Sequence, residues 1–248
     1  MKNKISKTRY LVLQIDIGGG TQWGNPNTIN PIREVFIPSV KQYCKKYDYD
    51  HLLIQESQYE KQYGQFDFLA TKTKHYSFER YFHFDNKYDY TIYIDNDVFV
   101  YPNAKPLPEF TGMCNVREPE SNSSKIFREE NNLSSSFPYF NSGVTFCDNF
   151  TAKKLSEYML NRLQKNIRAK GKNSDNMLLN EFILQNNKLF SEIGCEWNYM
   201  PFLENSTKTN IPNFFHFVGI VGKHIINKLQ EKNIRIESFL SELIKDKS

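Results

Sequence analysis

Residues 93–100, YIDNDVFV, form an apolar run of β-branched and aromatic residues that two carboxylates, Asp95 and Asp97, interrupt. The apolar positions predict a buried strand, whereas Asp is unfavourable within strands, and an unpaired buried charge is costly. Two aspartates two positions apart at the end of a strand can bind one hard cation, whose charge offsets their repulsion. The two aspartates would also suit a purely structural role, in which they cap the strand and begin a turn. Other segments of the chain are therefore needed to choose between a cation site and a strand cap.

The composition is that of a globular protein. The chain has 248 residues, of which 39% are hydrophobic, with 20 Phe and 15 Tyr, and this allows a sizeable core in one large domain. A formal net charge of +4 suits anionic small molecules, and without any signature of an RNA-recognition module we expect no nucleic acid partner. The 4 cysteines are scattered and form no C-x-x-C motif, which predicts reduced, mostly buried thiols.

The N-terminal region predicts a strand rather than a targeting segment. Its apolar residues 10–13 soon meet Gln14 and Asp16, unlike a signal peptide. No stretch approaches the ~20 apolar residues that a membrane-spanning helix needs. We therefore expect a cytoplasmic protein with at most peripheral membrane contact, and the oligomeric state cannot be inferred.

Hydrophobic periodicity predicts alternating strands and helices. Over the first hundred residues, strands are expected at 9–17, 51–55 and 89–94, and helices at 31–47 and 74–84. This order implies a largely parallel sheet with helices on its faces. Later in the chain, strands are expected at 139–146 and 213–218, and helices at 151–168, 175–187 and 223–245, the last with a break at Asn233.

The segment 118–138 is polar and rich in Ser, Asn and Glu. A polar loop of this length inside a domain is usually a lid, a binding loop or disordered. We expect it to be mobile without ligand, and to order over a bound substrate or to form part of an acceptor site.

Three further segments carry groups that suit a phosphorylated sugar ligand. Residues 140–144, FNSGV, place an amide, a hydroxyl and a glycine beside a strand, although the same letters fit a turn. Residues 174–180, SDNMLLN, open a helix, where Ser174 fits an N-cap and Asp175 can face a cleft. Residues 214–223, FFHFVGIVGK, combine a His, two glycines and a Lys, which can bind a pyrophosphate and complete a metal site. A His in an aromatic strand is, however, usually a core residue.

In their order and separations, these four motifs resemble those of glycosyltransferase family 8 over about residues 9–223. The resemblance implies an α/β fold of the GT-A (Rossmann-like) type, with a mixed, mostly parallel central sheet and helices on both faces. Residues 1–222 would form this single domain, and residues 223–248 a C-terminal amphipathic helical extension packed on it. The implied activity is a metal-dependent hexosyl transfer, with retention, from a nucleotide diphosphate donor, a UDP-sugar, to a hydroxyl of a glycan or another acceptor.

The resemblance also implies roles for individual residues. The metal, Mn²⁺ or Mg²⁺, would be held by Asp95, Asp97 and His216. The donor would contact Asp16, Lys74 or Arg80, Asp95, Asn96, Asn141, Ser142, Gly143, Asp175, Asn176, Gly219 and Lys223. Of these, the candidates for catalysis beside the transferred sugar are Asn141, Asp175 and Asn176.

The chain departs from the family pattern at three places. The usual H-F-x-G-x-x-K-P-W is longer by one residue and has His224 in place of Pro, which weakens the assignment of Lys223 to a phosphate. Asn176 stands where many members carry Gln, which leaves the donor sugar open. The first strand reads Q-I-D-I-G-G-G, so an aromatic stack on the base is not assured.

Two other functions compete with a transferase. Haloacid-dehalogenase-type phosphatases also use D-x-D after an apolar strand. Their motif, however, has Thr or Val at the position of Phe99 and normally lies near the start of the domain, and this chain differs in both respects. A catalytically silent sugar- or nucleotide-binding module on the same fold is the second alternative. Donor hydrolysis in the presence of Mn²⁺ separates a transferase from a binding module.

Overall fold

The computed structural model describes residues 8–17, 31–63, 76–165, 175–201 and 212–245. Within these ranges the strands are β1 Tyr10–Ile15, β2 Asp50–Ile54, β3 Tyr90–Ile94, β4 Val98–Val100, β5 Met113–Arg117, β6 Phe140–Asp148, β7 Phe190–Glu192 and β8 Phe214–His216. Six of them form a central sheet in the order β2-β1-β3-β6-β5-β7, and β4 pairs with β8 in a separate ladder. Strand β6 runs antiparallel to both of its neighbours, whereas the pairs β1–β2, β1–β3 and β5–β7 are parallel.

Helices connect and cover these strands. The α-helices are α1 Ile37–Tyr47, α2 Gln58–Tyr63, α3 Asn122–Glu130, α4 Asn149–Gln164, α5 Asp175–Gln185, α6 Gly219–Glu231 and α7 Ile236–Lys245. A π-helical turn, Ile32–Phe36, precedes α1, and the described part of the chain also forms 3-10 helices at Tyr76–His83, Asn187–Leu189 and Cys195–Trp197.

Both faces of the sheet are buried under helices, as the uninterrupted apolar run of β1 requires. Leu11 and Leu13 point to one face, where they join a core with Leu155 of α4. Val12 points to the other face and packs in a second core with Val40 of α1. The predicted α/β class and the mixed, mostly parallel sheet are therefore confirmed.

The two C-terminal helices pack on the strand that carries His216. Leu229 of α6 and Leu240 of α7 lie in one buried cluster with Phe215 and Phe217. Asn233, with φ +52°, lies between the two helices, so the predicted break is confirmed. Since Asn tolerates the left-handed conformation better than most residues, it suits this turn.

The segment 118–138 differs from the prediction. It contains α3, whose first turn is stabilised by a capping box between Ser121 and Ser124, and it buries Phe127. The expectation of a structureless loop is therefore wrong, because Ser and Asn at this position act as helix caps rather than as loop residues.

Other local predictions hold with shifted boundaries. The helix expected at 74–84 is the 3-10 helix Tyr76–His83, and residues 74 and 75 lie outside the described residues. All four cysteines are free; Cys44, Cys114 and Cys147 are buried and Cys195 is partly buried. Among the described helices, none is long and apolar enough to cross a membrane. Strands β5 and β7 have no counterpart in the sequence-based prediction.

Candidate active site

Two strand ladders bring the carboxylate pair and the histidine together. Asp95 directly follows β3, where its backbone N–H donates to the carbonyl of Gly143 on β6 at 2.8 Å. The chain then turns into β4, whose first residue, Val98, pairs with His216 of β8. Asp97, one position earlier, is therefore placed beside the imidazole.

The side chains of Asp95, Asp97 and His216 converge. Nε2 of His216 lies 3.2 Å from Oδ1 of Asp97 and 4.0 Å from Oδ2 of Asp95, and one ligand atom from each residue lies within 4.8 Å of the others. His216 is 3% exposed and Asp97 9%. Two carboxylates and an imidazole form a donor set that fits a divalent cation such as Mn²⁺. The structure thus brings together the three residues that the sequence assigned to a metal.

The electrostatics of this cluster favour a cation. Burial raises the pKa of Asp95 to about 6; the ion pair with Arg80 opposes this shift, and Asp97 adds to it. Burial lowers the pKa of His216, but the carboxylates of Asp97, Asp95 and Glu118 together outweigh it, so the pKa of His216 lies above its ordinary value. Shifts of this kind, with a named charge partner, are typical of functional sites.

Arg80 lies against this cluster. Its guanidinium is buried and forms an ion pair with Oδ1 of Asp95, while its Nε donates to the carbonyl of Ser77 at 2.8 Å. Lys74, the alternative to Arg80 in the sequence analysis, lies outside the described residues.

The buried side-chain amide of Asn198 contacts the ring nitrogen of His216 that does not face the carboxylates. Nδ1 of His216 lies 3.0 Å from Oδ1 of Asn198, and Nδ2 of Asn198 donates to Oδ1 of Asn141 at 2.9 Å. The backbone N–H of Gly143 donates to the same Asn141 oxygen at 2.8 Å. Asn198 was not predicted from the sequence, because a single Asn beside a short 3-10 helix gives no periodic signal.

A second group of polar side chains adjoins the cluster. Glu118 Oε2 accepts from Nδ2 of Asn141 at 3.1 Å and from Nδ2 of Asn176 at 2.8 Å. Asn176 Oδ1 accepts from the backbone N–H of Ser142, and the Ser142 hydroxyl donates to Oδ2 of Asp175 at 3.1 Å. Four residues predicted from separate motifs therefore form one hydrogen-bonded surface. Glu118 was missed because it follows β5, a strand that the sequence analysis did not predict.

The end of β1 contributes a further acidic group. Asp16 is 3% exposed, and its Oδ2 accepts from Nε of Arg33 at 2.8 Å. Its Oδ1 is buried and has no hydrogen-bond partner among the described residues. Nearby, Nδ2 of Asn96 donates to the carbonyl of Ile15 at 3.0 Å, which ties the D-x-D turn to β1.

The glycine and lysine that follow His216 lie on α6. Gly219 is the first residue of this helix, and Lys223 is a partly buried residue in its second turn. Gly222 is required by close packing, because a Cβ there would lie within 3.0 Å of the carbonyl group of Phe217.

Comparison with known families identifies the class of protein. Residues 28–223 match the family described as Glycosyl transferase family 8. The chain belongs to glycosyltransferase family 8. It is therefore a glycosyltransferase, and the phosphatase alternative is wrong. No curated protein matches the chain in sequence.

Solved glycosyltransferase structures share the fold of this family 8 chain. A glycosyltransferase involved in glycosylation of the major capsid of PBCV-1 is 14% identical, with a TM-score of 0.54, over 88% of this chain and 98% of that one. The bifunctional glycosyltransferase WbbM is 14% identical, with a TM-score of 0.53, over 88% of this chain and 47% of that one. The galactosyltransferase LgtC, solved with donor and acceptor sugar analogues, is 12% identical, with a TM-score of 0.49, over 85% of this chain and 87% of that one. At such identities, the likeness to the first two, whose TM-scores exceed 0.5, shows the GT-A fold alone.

Proposed function

We propose that this glycosyltransferase moves a hexose from a UDP-sugar to a hydroxyl of a glycan or another acceptor, with retention, and that it needs Mn²⁺ or Mg²⁺. The observation that carries the proposal is the convergence of Asp95, Asp97 and His216 at the carboxyl end of β3. Ligands of α/β proteins bind at this edge of a sheet. A carboxylate pair at this edge suits a diphosphate donor that arrives with a divalent cation.

The residues that would hold the metal differ in how free they are to bind it. Asp97 and His216 direct Oδ1 and Nε2 at each other. Asp95 shares its carboxylate with Arg80, so one oxygen is engaged and the other faces His216. When bound, the metal supplies positive charge that stabilises the departing nucleoside diphosphate. Gly219 and Lys223 would contact the phosphates, and Asp16 and Asn96 the nucleoside.

The transferred sugar would lie on the second polar group. Asn141 and Asn176 offer amides, Ser142 a hydroxyl, and Asp175 and Glu118 carboxylates, and these groups are already held in place by mutual hydrogen bonds. Groups positioned in this way can orient sugar hydroxyls and the anomeric centre without further ordering. Retention rests on the family resemblance.

A cavity beside Glu118 suits the acceptor. It has a volume of about 570 Å³ and is lined by residues of three segments, 116–120, 135–139 and 192–195, together with Arg128. Its charged groups and hydroxyls fit a polar, hydroxyl-rich molecule such as a glycan. Since Glu118 borders both this cavity and the sugar-binding group, an acceptor here would lie next to the donor sugar.

Asp97→Asn tests the metal assignment. The isosteric amide keeps the shape of the side chain and removes its charge, so Mn²⁺-dependent binding of UDP should be lost while the fold remains. Isothermal titration calorimetry with UDP and Mn²⁺ measures this, and Asp89→Asn, at the other end of β3, is the control. Unchanged affinity in Asp97→Asn would contradict the proposal.

The donor can be found with a panel of nucleotide sugars in thermal-shift assays with and without Mn²⁺. A ligand at about 100 times its Kd should add about 2.7 kcal/mol to the free energy of unfolding. For a chain of this size, such a gain corresponds to a rise in Tm of roughly 5–11 °C. A transferase also turns over the donor, which a silent binding module does not.

A further inference from the structure

Asn198 is fully buried and bridges two groups of the site. Its exposed fraction is 0%, and it follows the 3-10 helix Cys195–Trp197. One end of its amide faces Nδ1 of His216 at 3.0 Å, and the other faces Oδ1 of Asn141 at 2.9 Å. Asn198 thus connects the metal cluster with the sugar-binding group.

The direction of this hydrogen-bond chain is fixed by a backbone amide. The N–H of Gly143 can only donate, so the atom of Asn141 that it contacts at 2.8 Å must be the oxygen. That oxygen needs a donor from Asn198, so Asn198 presents its NH₂ group to Asn141 and its oxygen to His216. The acceptor facing Nδ1 of His216 requires this nitrogen to carry a proton.

The other side of Asn141 agrees with this assignment. Its remaining amide atom faces Oε2 of Glu118 at 3.1 Å, where a carboxylate oxygen requires a donor. The orientation of both asparagines is therefore set by chemistry at two independent points, and it does not depend on telling the amide nitrogen from the oxygen by their positions.

We propose that Asn198 is a positioning residue that holds His216 in the Nδ1–H tautomer and couples the metal ligand to Asn141. Without a cation, Oδ1 of Asp97 at 3.2 Å is an acceptor that itself draws a proton to Nε2. With a cation bound at Asp95 and Asp97, the Nδ1–H tautomer directs the lone pair of Nε2 at that cation. A metal-ligating His commonly donates its second ring N–H to a partner that fixes its tautomer and orientation. The inference rests on the proposed function, which takes His216 as a metal ligand.

The first test removes the carboxylate that competes for a proton on Nε2. In metal-free, full-length Asp97→Asn protein labelled with ¹⁵N-histidine, the amide at position 97 can donate or accept, and the multiple-bond ¹H–¹⁵N spectrum at alkaline pH distinguishes the two neutral tautomers. His216 is assigned by comparison with the double variant Asp97→Asn/His216→Ala. We expect the proton on Nδ1; a neutral His216 with its proton on Nε2 overturns the proposal, whether or not the wild type binds a metal.

The second test separates the two functions of the Asn198 amide. Asn198→Ala removes the partner of Nδ1 and should weaken the binding of Mn²⁺ alone about 10- to 100-fold, as measured by calorimetry. Asn198→Asp still accepts from Nδ1 but cannot donate to Asn141. It should keep Mn²⁺ affinity near that of the wild type while KM for the donor rises.

Asn213→Ala is the matched control. Asn213, three positions before His216, is a buried asparagine whose side-chain oxygen accepts from the backbone N–H of Lys105 at 2.9 Å. Its replacement should lower Tm without changing Mn²⁺ affinity. The proposal is overturned if Asn198→Ala binds Mn²⁺ like the wild type, or if Asn198→Asp loses as much affinity as Asn198→Ala. Failure of the wild type to bind Mn²⁺ would instead contradict the proposed metal site and leave the tautomer test standing.

Discussion

At the scale of single residues, the imidazole of His216 leaves no room for a side chain at Gly143. A Cβ at this position would lie closer than 3.0 Å to both Cε1 and Nδ1 of the ring. Its backbone has no positive φ that would by itself demand glycine. The absence of a side chain at Gly143 is therefore a packing requirement of the histidine.

Gly143→Ala should displace His216 and weaken Mn²⁺ binding, with a loss of stability of about 1–3 kcal/mol because the site becomes overpacked. Calorimetry with Mn²⁺ and thermal unfolding measure the two effects. Gly194→Ala is the control: its Cβ would meet only the flexible carboxylate end of Glu196, which can move away. If Gly143→Ala retained wild-type Mn²⁺ affinity, His216 would have to be absent from the metal site.

The residues predicted from the sequence are those with a distinctive chemical pattern. A D-x-D after an apolar strand and a His before two glycines are rare combinations, so Asp95, Asp97 and His216 could be proposed together. Asn198 and Glu118 could not, because single Asn and Glu residues are common in polar segments. Only the tertiary structure shows that their side chains meet the site.

At the scale of elements, α3 changes the interpretation of the segment 118–138. Arg128 on this helix is 7% exposed, donates to Oε2 of Glu120 at 2.6 Å, and donates to the carbonyl of Phe137 at 3.1 Å. Phe127 packs against Tyr139 with ring centroids 5.4 Å apart. Both flanks of α3 are therefore attached to the domain through this helix. Ordering of the segment on donor binding stays a prediction.

Amides of α3 should be protected from hydrogen exchange in the free protein. Arg128→Ala should reduce this protection, because it leaves the Phe137 carbonyl and Glu120 without their donor, a loss of about 1–3 kcal/mol of local stability. Exchange measured by mass spectrometry checks both statements. Lys125→Ala, at an exposed position of the same helix, is the control. Rapid exchange of α3 in the wild type would restore the interpretation of a mobile loop.

At the scale of the whole molecule, the sequence predicted the central sheet and its covering helices better than the individual strands of that sheet. The continuous apolar run of β1 and the alternation of strands and helices were enough to predict a mostly parallel sheet. Strands β5 and β7 escaped prediction, since Asn115 interrupts the apolar residues of Met113–Arg117, and Phe190–Glu192 is a three-residue edge strand without alternation. Such strands form because neighbours such as β6 offer hydrogen-bonding partners, which no local pattern shows.

The C-terminal helices should be part of the same cooperative unit as the site. Leu240 is completely buried in the cluster that holds Phe215 and Phe217 on either side of His216. Leu240→Ala should therefore destabilise the protein by about 2–5 kcal/mol and lower a single unfolding transition. Ile234→Ala, at a position 42% exposed, should change stability by no more than about 0.5 kcal/mol. A separate early transition in Leu240→Ala would mean that residues 223–248 form an independent appendage.

The stability of the whole molecule should depend on pH in opposite ways with and without metal. Without metal, the folded state raises the pKa of Asp95 to about 6 and that of His216 above its ordinary value. The folded state thus binds more protons at this site than the unfolded state. The contribution of these two groups to the free energy of unfolding is fully present below their pKa values in the unfolded state. It is lost as the pH rises through their pKa values in the folded state.

A bound cation reverses this trend, because it needs ionised carboxylates and an imidazole whose Nε2 carries no proton. The rise in Tm caused by saturating Mn²⁺ should therefore be small at about pH 5 and increase towards about pH 8. Thermal unfolding across this range, with and without Mn²⁺, measures the difference, and Asp97→Asn should abolish it. A Tm gain that stayed constant with pH would show that Mn²⁺ binds at groups other than Asp95, Asp97 and His216, since no proton would then compete with the cation.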